Sequence, residues 1–291
     1  MNTAVILMAY GSPPRLEDVP AYLADIRDGR PVSEEAVEEL TERYRRIGGR
    51  SPLDEITEAQ RAALERQLGL PVYVGMKHWR PRIAEAVEAA LAAGAETIVA
   101  VVLAPHYSRL SIAGYRDRLK QALADRAELV FVESWHDHGP FIDVLADRVR
   151  GFDGHVVFTA HSLPERILAA GDPYRDQLLT TSRLVAERAG ISSWSFAFQS
   201  ASATGEPWLG PDILEELDTL AANGVRRVLV CPVGFVSDHL EILWDLDVEA
   251  REKAARLGLE LERIDSLNDD PEFVRALAGL VRKALPVPSK A

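Results

Sequence analysis

Short apolar runs alternate with longer amphipathic stretches along this chain, and the two periods predict the elements. Buried parallel strands read as continuous runs of Val, Ile and Leu, whereas surface helices repeat their apolar residues every three or four positions. Eight strands are predicted: Ala4 to Ala9, Val72 to Gly75, Thr97 to Leu103 and Leu129 to Glu133 in the first half, then His155 to Thr159, Ser195 to Phe198, Arg227 to Cys231 and Leu259 to Ile264 in the second. Ala-, Leu- and Glu-rich helices separate them, which is the rhythm of βαβ units and a mostly parallel sheet. Four strands in each half indicate two similar α/β domains, 1–150 and 151–291, divided near Gly151 to Gly154. The turns support the duplication, since Val101-Val102-Leu103-Ala104-Pro105-His106 matches Leu229-Val230-Cys231-Pro232-Val233-Gly234. An insertion from about 12 to 53 carries proline and many charges but little strand signal, and is expected to be helical and to lie over a cleft. A last helix is expected from about Pro271 to Leu285, packing on either domain.

Composition narrows the function. The 291 residues carry 45 acidic and 33 basic side chains, a net charge of -12, which disfavours nucleic acid and anionic membranes. The lone cysteine, Cys231, leaves no internal disulfide and no cysteine-held cluster, fits a reducing compartment, and sits in a buried-type strand without a basic neighbour to activate it. The first apolar run ends at Tyr10-Gly11-Ser12-Pro13-Pro14, too short for an export signal, and no run reaches the ~20 residues of a membrane span, so a cytoplasmic location is expected.

In open parallel sheets ligands bind beyond the carboxyl ends of the strands. Those positions hold Tyr10, Lys77-His78-Trp79, His106-Tyr107-Ser108, Trp135-His136, His161-Ser162, Gln199-Ser200 and Ser237-Asp238-His239 with Glu241. No glycine-rich dinucleotide or P-loop pattern follows any strand. Helical spacing from Asp238 places Glu241, Asp245 and Glu249 on one face, one turn apart. Such a ladder is either solvated or lines a cavity that passes cations or protons, and the apolar Leu240, Ile242, Leu243 and Trp244 around it favour burial. His161 closes a strand of the same half; alone it could merely cap a turn, but with Glu241 it offers an imidazole–carboxylate pair suited to a divalent transition metal or to proton transfer near neutral pH. Arg27, Arg30, Arg43, Arg45, Arg46 and Arg50 crowd the insertion, pointing to an anionic ligand, with surface pairing to Glu34, Glu35, Glu38, Glu39 and Glu42 as the competing explanation. His78, His106, His136 and His138 show no convincing metal-ligand spacing, and the pair His136/His138 is expected to face solvent.

The segments Met8 to Pro13, Ile47 to Leu53, Val102 to Ser108, Thr159 to Pro164, Pro207 to Pro211 and Pro232 to Glu249, in this order, resemble the ferrochelatases, which insert ferrous iron into a porphyrin. The resemblance implies two Rossmann-like domains with parallel four-stranded sheets flanked by helices and a porphyrin cleft between them. It implies that His161 and Glu241 are the catalytic and metal-handling pair, and that Asp245 and Glu249 are an accessory acidic ladder. Tyr10 resembles the coproporphyrin III branch, where a tyrosine faces the metal from the side opposite the pair, and the same match places Arg27, Arg43, Tyr44, Ser51, Ser111 and Tyr115 at the macrocycle or its propionates. Asp28 departs from the pattern, standing where relatives often have a second basic residue. The implied substrates are coproporphyrin III and Fe2+, with no permanent cofactor, no iron–sulfur cluster, a monomeric state and a haem-pathway enzyme receiving the product. Competing readings are a protoporphyrin IX ferrochelatase, a sirohydrochlorin or cobalt chelatase, and a non-catalytic tetrapyrrole carrier; the polar insertion and the His161/Glu241 pair argue against the first and the last.

Overall fold

The structure is a computed structural model and describes residues 2–202 and 205–285. Eight strands form, β1 (Thr3–Ala9), β2 (Val72–Met76), β3 (Thr97–Val102), β4 (Glu128–Val132), β5 (His155–His161), β6 (Trp194–Gln199), β7 (Arg227–Cys231) and β8 (Glu260–Arg263). They make two four-stranded sheets of identical order, β2-β1-β3-β4 and β6-β5-β7-β8, every pairing parallel. Boundaries move by one or two residues from the expected ones, most usefully at β5, which runs on to His161. Val5, Ile6, Leu7 and Met8 of β1 and Val156, Val157 and Phe158 of β5 are wholly buried, because helices cover both sheet faces.

The duplication extends below the sheets' plan. Past β2, the Met76 amide donates to Pro81 O at 2.6 Å and the helix Ile83–Ala92 follows; past β6, the Phe198 amide donates to Pro211 O at 2.8 Å and the helix Ile213–Ala222 follows. The equivalent turns after β3 and β7 differ where it matters. Gly234, after β7, packs so closely on β5 that a Cβ there would lie 2.4 Å from Ala160 Cβ, so only glycine lets this turn approach the strand that carries His161.

The insertion is helical as expected, with a 3-10 turn, Leu16–Asp18, and two α-helices, Val19–Ile26 and Glu34–Arg46. The helix Pro271–Ala284 lies against the first-half helices Leu53–Leu68 and Gly139–Val149. Its Phe273 stacks on Trp135 at 6.3 Å and joins Leu64, Phe141 and Leu145 in one apolar cluster that also takes in Val156 and Phe158. That cluster runs continuously from one sheet to the other and holds their strand ends facing a shared cleft.

The acidic segment departs from expectation. Instead of an α-helix it forms a π-helix, Ile242–Ala250, that continues as the α-helix Arg251–Leu257. A spacing of four keeps residues near one face in either form, so the carboxylate alignment survives the wider winding, and π-helical turns are frequent at functional sites. The hold here is visible. Arg263, 10% exposed, grips Asp247 with two hydrogen bonds of 3.0 and 2.8 Å and also pairs with Asp238 at 3.3 Å, pinning the middle of the π-helix and the turn before it to the end of β8.

Candidate active site

Register places the site. Because Ala9 pairs with Met76, the parallel ladder continues beyond the strands: Lys77 N donates to Ala9 O at 2.9 Å and His78 N to Tyr10 O at 2.8 Å, so Tyr10 and His78 lie side by side. In the second sheet His161 pairs with Gln199, and the turn after β7 delivers Ser237 to Glu241 beside them.

His161 Nδ1 donates to its neighbour's carbonyl, Ser162 O, which turns Nε2 toward Glu241 Oε1 at 3.4 Å. The other Glu241 oxygen, Oε2, lies 3.6 Å from His239 Nε2, so the carboxylate stands between two imidazoles. Sequence spacing hid the role of His239, which is only two residues from Glu241 and reads as part of the same turn. Tyr174 OH donates to His161 O at 2.9 Å and steadies the strand end from the helix Tyr174–Ala189. Desolvation alone would lower the His161 pKa, but the Glu241 charge and hydrogen bond outweigh it and bring it to about 9. Burial would raise the Glu241 pKa, but the facing His161 holds it well below the usual carboxylate range. At neutral pH the two are therefore an ion pair. A metal ion held by this pair would have to displace the His161 proton and find further ligands elsewhere, because no three His, Cys, Asp or Glu side chains among the described residues are grouped to cage it.

The ladder continues inward. Asp245 is buried, accepts a hydrogen bond from Ser200 Oγ and lies 3.4 Å from Gln199 Nε2, which also donates to Glu241 O at 3.2 Å. Burial, and then the Glu241 charge, push its pKa up to about 7. Glu249, half-buried, is also raised, by burial against the partial relief of Arg43. An acid whose folded pKa exceeds its unfolded one costs stability as pH rises: the cost is absent below the unfolded pKa near 4, grows between about 4 and 7, and is complete above 7. Asp245→Asn is accordingly expected to be more stable than the parent by about 2 kcal/mol at pH 8, with a clearly smaller gap at pH 5, in urea unfolding at the two pH values. An equal gap at both would show that Asp245 does not titrate there.

On the facing wall, Tyr10 is 40% exposed, its ring 4.6 Å from that of His78 and its phenol pKa raised by desolvation and next by Glu241, which puts the two halves' side chains at one cleft. Gly11, at φ 88°, turns the chain directly after it and takes a hydrogen bond from Tyr22 OH on its carbonyl. Tyr44, Ser51 and Tyr115 build the wall rather than its open surface. Tyr44 is 2% exposed and bonded to Tyr22, the buried Ser51 Oγ accepts from Leu53 N, and Tyr115 is buried with Lys77 Nζ 5.0 Å above its ring. Ser111 precedes the helix Ile112–Leu123, its carbonyl 3.5 Å from Lys77 Nζ.

The six arginines that crowd the insertion from Arg27 to Arg50 separate into two groups. Arg43 pairs with Glu39, Arg45 with Glu42, Arg46 with Glu252 and Arg50 with Glu55, so ion pairing explains those four. Arg43 and Arg46 also lie 5.7 and 5.2 Å from the Trp244 ring centroid, carrying the insertion across to the acidic helix. Arg27 and Arg30 are exposed and have no ion-pair partner among the described residues. Of the histidines set aside from sequence, His136 and His138 are held by Ser134 Oγ and Ala276 O and are half-buried, correcting the expectation that they face solvent. His106 is buried, on Thr181 Oγ1 at 2.8 Å, and its pKa is depressed by burial to about 3. Cys231 is buried and its thiol is raised by burial, as an inert cysteine requires.

Residues 2–285 match the family model described as Ferrochelatase. The chain belongs to the ferrochelatase family. It is 46% identical to a ferrochelatase of Deinococcus radiodurans over 97% of this chain and 96% of that one, and 40% identical to a coproporphyrin III ferrochelatase of Geobacillus thermodenitrificans over 98% and 96%. The fold is also that of SirB from Bacillus subtilis, with a TM-score of 0.65 at 12% identity over 98% of this chain and 96% of that one. This ferrochelatase is thus a lyase that takes a porphyrin and iron as substrates. Among its described residues no helix is long and apolar enough to cross a membrane.

Proposed function

We propose that this ferrochelatase acts on coproporphyrin III, inserting Fe2+ to give the iron porphyrin of haem synthesis. The observation that carries the reading is the insertion itself: polar, cationic at Arg27 and Arg30 without internal partners, and set beside Tyr10. Coproporphyrin has four propionates and dissolves in water, so it needs cations at the cleft rather than an apolar lip, and guanidinium groups meet carboxylates with two parallel hydrogen bonds. Relatives named for this substrate at about 40% identity support it.

Remote contacts to the propionates hold the macrocycle and supply binding energy that bends it, because a flat ring keeps its nitrogen lone pairs in plane. His161 exchanges its proton for the arriving Fe2+, Glu241 neutralises the growing charge, and Asp245 and Glu249 carry protons away along the π-helix. A carrier of tetrapyrroles would need neither the ion pair nor the ladder.

The test is anaerobic Fe2+ insertion followed by porphyrin absorbance with coproporphyrin III and protoporphyrin IX in parallel. Preference for the former is expected, and preference for protoporphyrin IX would overturn the reading. Arg27→Ala should weaken coproporphyrin III binding by about tenfold, the loss of one charge-assisted pair, with Fe2+ affinity unchanged. An unaltered porphyrin affinity by fluorescence quenching would remove Arg27 from the site.

A further inference from the structure

The wall bearing Tyr10 holds a second, oriented imidazole. His78 is buried, and its Nδ1 lies 3.0 Å from Asp25 Oδ2. Asp25 is itself clamped by Arg82, Nη2 to Oδ1 at 2.8 Å and Nη1 to Oδ2 at 3.0 Å. The same imidazole packs against the Tyr10 ring, tilted by 49° at 4.6 Å, so it is held by a carboxylate on Nδ1 and lies against a phenol. With the guanidinium holding Asp25, the carboxylate stays ionised and accepts a hydrogen bond from Nδ1–H, which leaves the lone pair on Nε2. Nε2 has no hydrogen-bond partner among the described residues. The elements that meet here bring Lys77 and Arg118 as the cations facing the ring, against Asp25 alone as the contacting anion. Burial first, and these cations next, outweigh Asp25 and keep the imidazole neutral, with a pKa near 4.

A neutral, singly tautomeric imidazole with an open lone pair is a proton acceptor, and metal insertion must remove two pyrrole protons. The ion pair at His161 occupies the opposite wall. We propose that His78, positioned by Asp25 and Arg82, accepts a pyrrole proton on the Tyr10 face of the cleft. The proposal rests on the ferrochelatase reading. In the step, a pyrrole N–H bond breaks and an N–H bond forms at His78 Nε2; the pyrrole electron pair remains on nitrogen for Fe2+, and the imidazolium proton leaves to water. The cations that keep the imidazole neutral are compensated when a polycarboxylate ligand enters the cleft, so the proton affinity of His78 rises with substrate binding. Tyr10, held as a phenol, lies beside the acceptor without competing for the proton.

The experiment uses the full chain and separates binding from turnover. Steady-state Fe2+ insertion and porphyrin dissociation constants are measured for the parent and for His78→Gln, His78→Ala and Asp25→Asn. His78→Gln retains a donor toward Asp25 but no basic nitrogen, and kcat should fall about 100-fold with porphyrin affinity held within about threefold. Added imidazole should restore part of the kcat of His78→Ala. Asp25→Asn, a positioning change, should lower kcat about tenfold and leave the porphyrin dissociation constant in place. Parental kcat in His78→Gln, a parallel loss of porphyrin affinity, or no rescue by imidazole would each overturn the proposal. A parent that turned over neither porphyrin would instead strike the ferrochelatase reading, so the two failures are distinct.

Discussion

His161→Ala is expected to reduce Fe2+ insertion by about 10²- to 10⁴-fold while porphyrin still binds with near-parental affinity. The residue stands at the end of β5, its Nδ1 committed to Ser162 O and its Nε2 to Glu241, so the alanine removes both the nitrogen offered to the metal and the cation that balances Glu241. Tyr174 and Gly234 continue to fix the strand end, and nothing else in the cleft needs to move. The second readout is protonic. With a pKa of about 9, His161 is charged at pH 7.5, so Zn2+ titrated into the parent should release close to one proton per bound ion, and this release should disappear in the variant. The released proton should also decline in the parent as pH is raised through about 9, because the imidazole is then already neutral. Retained turnover in His161→Ala, or proton release that persists without the side chain, would move the metal's entry point elsewhere.

Arg263→Leu is expected to cost about 3 kcal/mol of stability, the loss that follows when one partner of a largely buried ion pair is removed and the other remains. Asp247 and Asp238, 19% and 21% exposed, would both lose their main counter-charge, Asp247 keeping only Arg251 at 3.3 Å. The effect should appear as a lower urea midpoint with an unchanged slope. Arg263→Lys, which retains charge but not the two-pronged grip, should lie between. Activity should drop beyond what the lost stability explains, since the clamp fixes the winding that aligns Glu241, Asp245 and Glu249. A midpoint within the error of the parent would mean that the π-helix is held by the packing of Ile242, Leu246 and Ala250 alone.

Much of this molecule was legible before any coordinates, for identifiable reasons. Strands buried on both faces are nearly all Val, Ile, Leu, Ala and Phe, so β1, β3, β5 and β7 stand out from the charged helices between them. Reading the residues just beyond the strands singles out Tyr10, His161 and Glu241, and their positions at the strand ends follow from the parallel topology. What escaped depends on partners remote in the chain. Asp25 and His78 lie on different elements, and only the register of β1 on β2 brings His78 to Tyr10. Arg263 reads as an ordinary strand-end charge until Asp247 is found against it. The π-helix was invisible because a four-residue spacing serves α and π windings alike. The arginine cluster was divided correctly in kind but not by residue, since pairing with Glu252 crosses from the insertion to the second half.

The position of the helix Pro271–Ala284 bears on how the chain is made. Synthesis proceeds from the N-terminus, and segments ordinarily collapse as they emerge from the ribosome. Here the first sheet can assemble early, yet the groove between its helices Leu53–Leu68 and Gly139–Val149 keeps Leu64, Phe141 and Leu145 without the cover that Phe273, Leu277 and Val281 later provide. The first half therefore waits, with an apolar seam open, until the whole second half has been translated. Folding of the two halves is thereby tied together through this late-arriving helix, which closes the apolar seam of the first half.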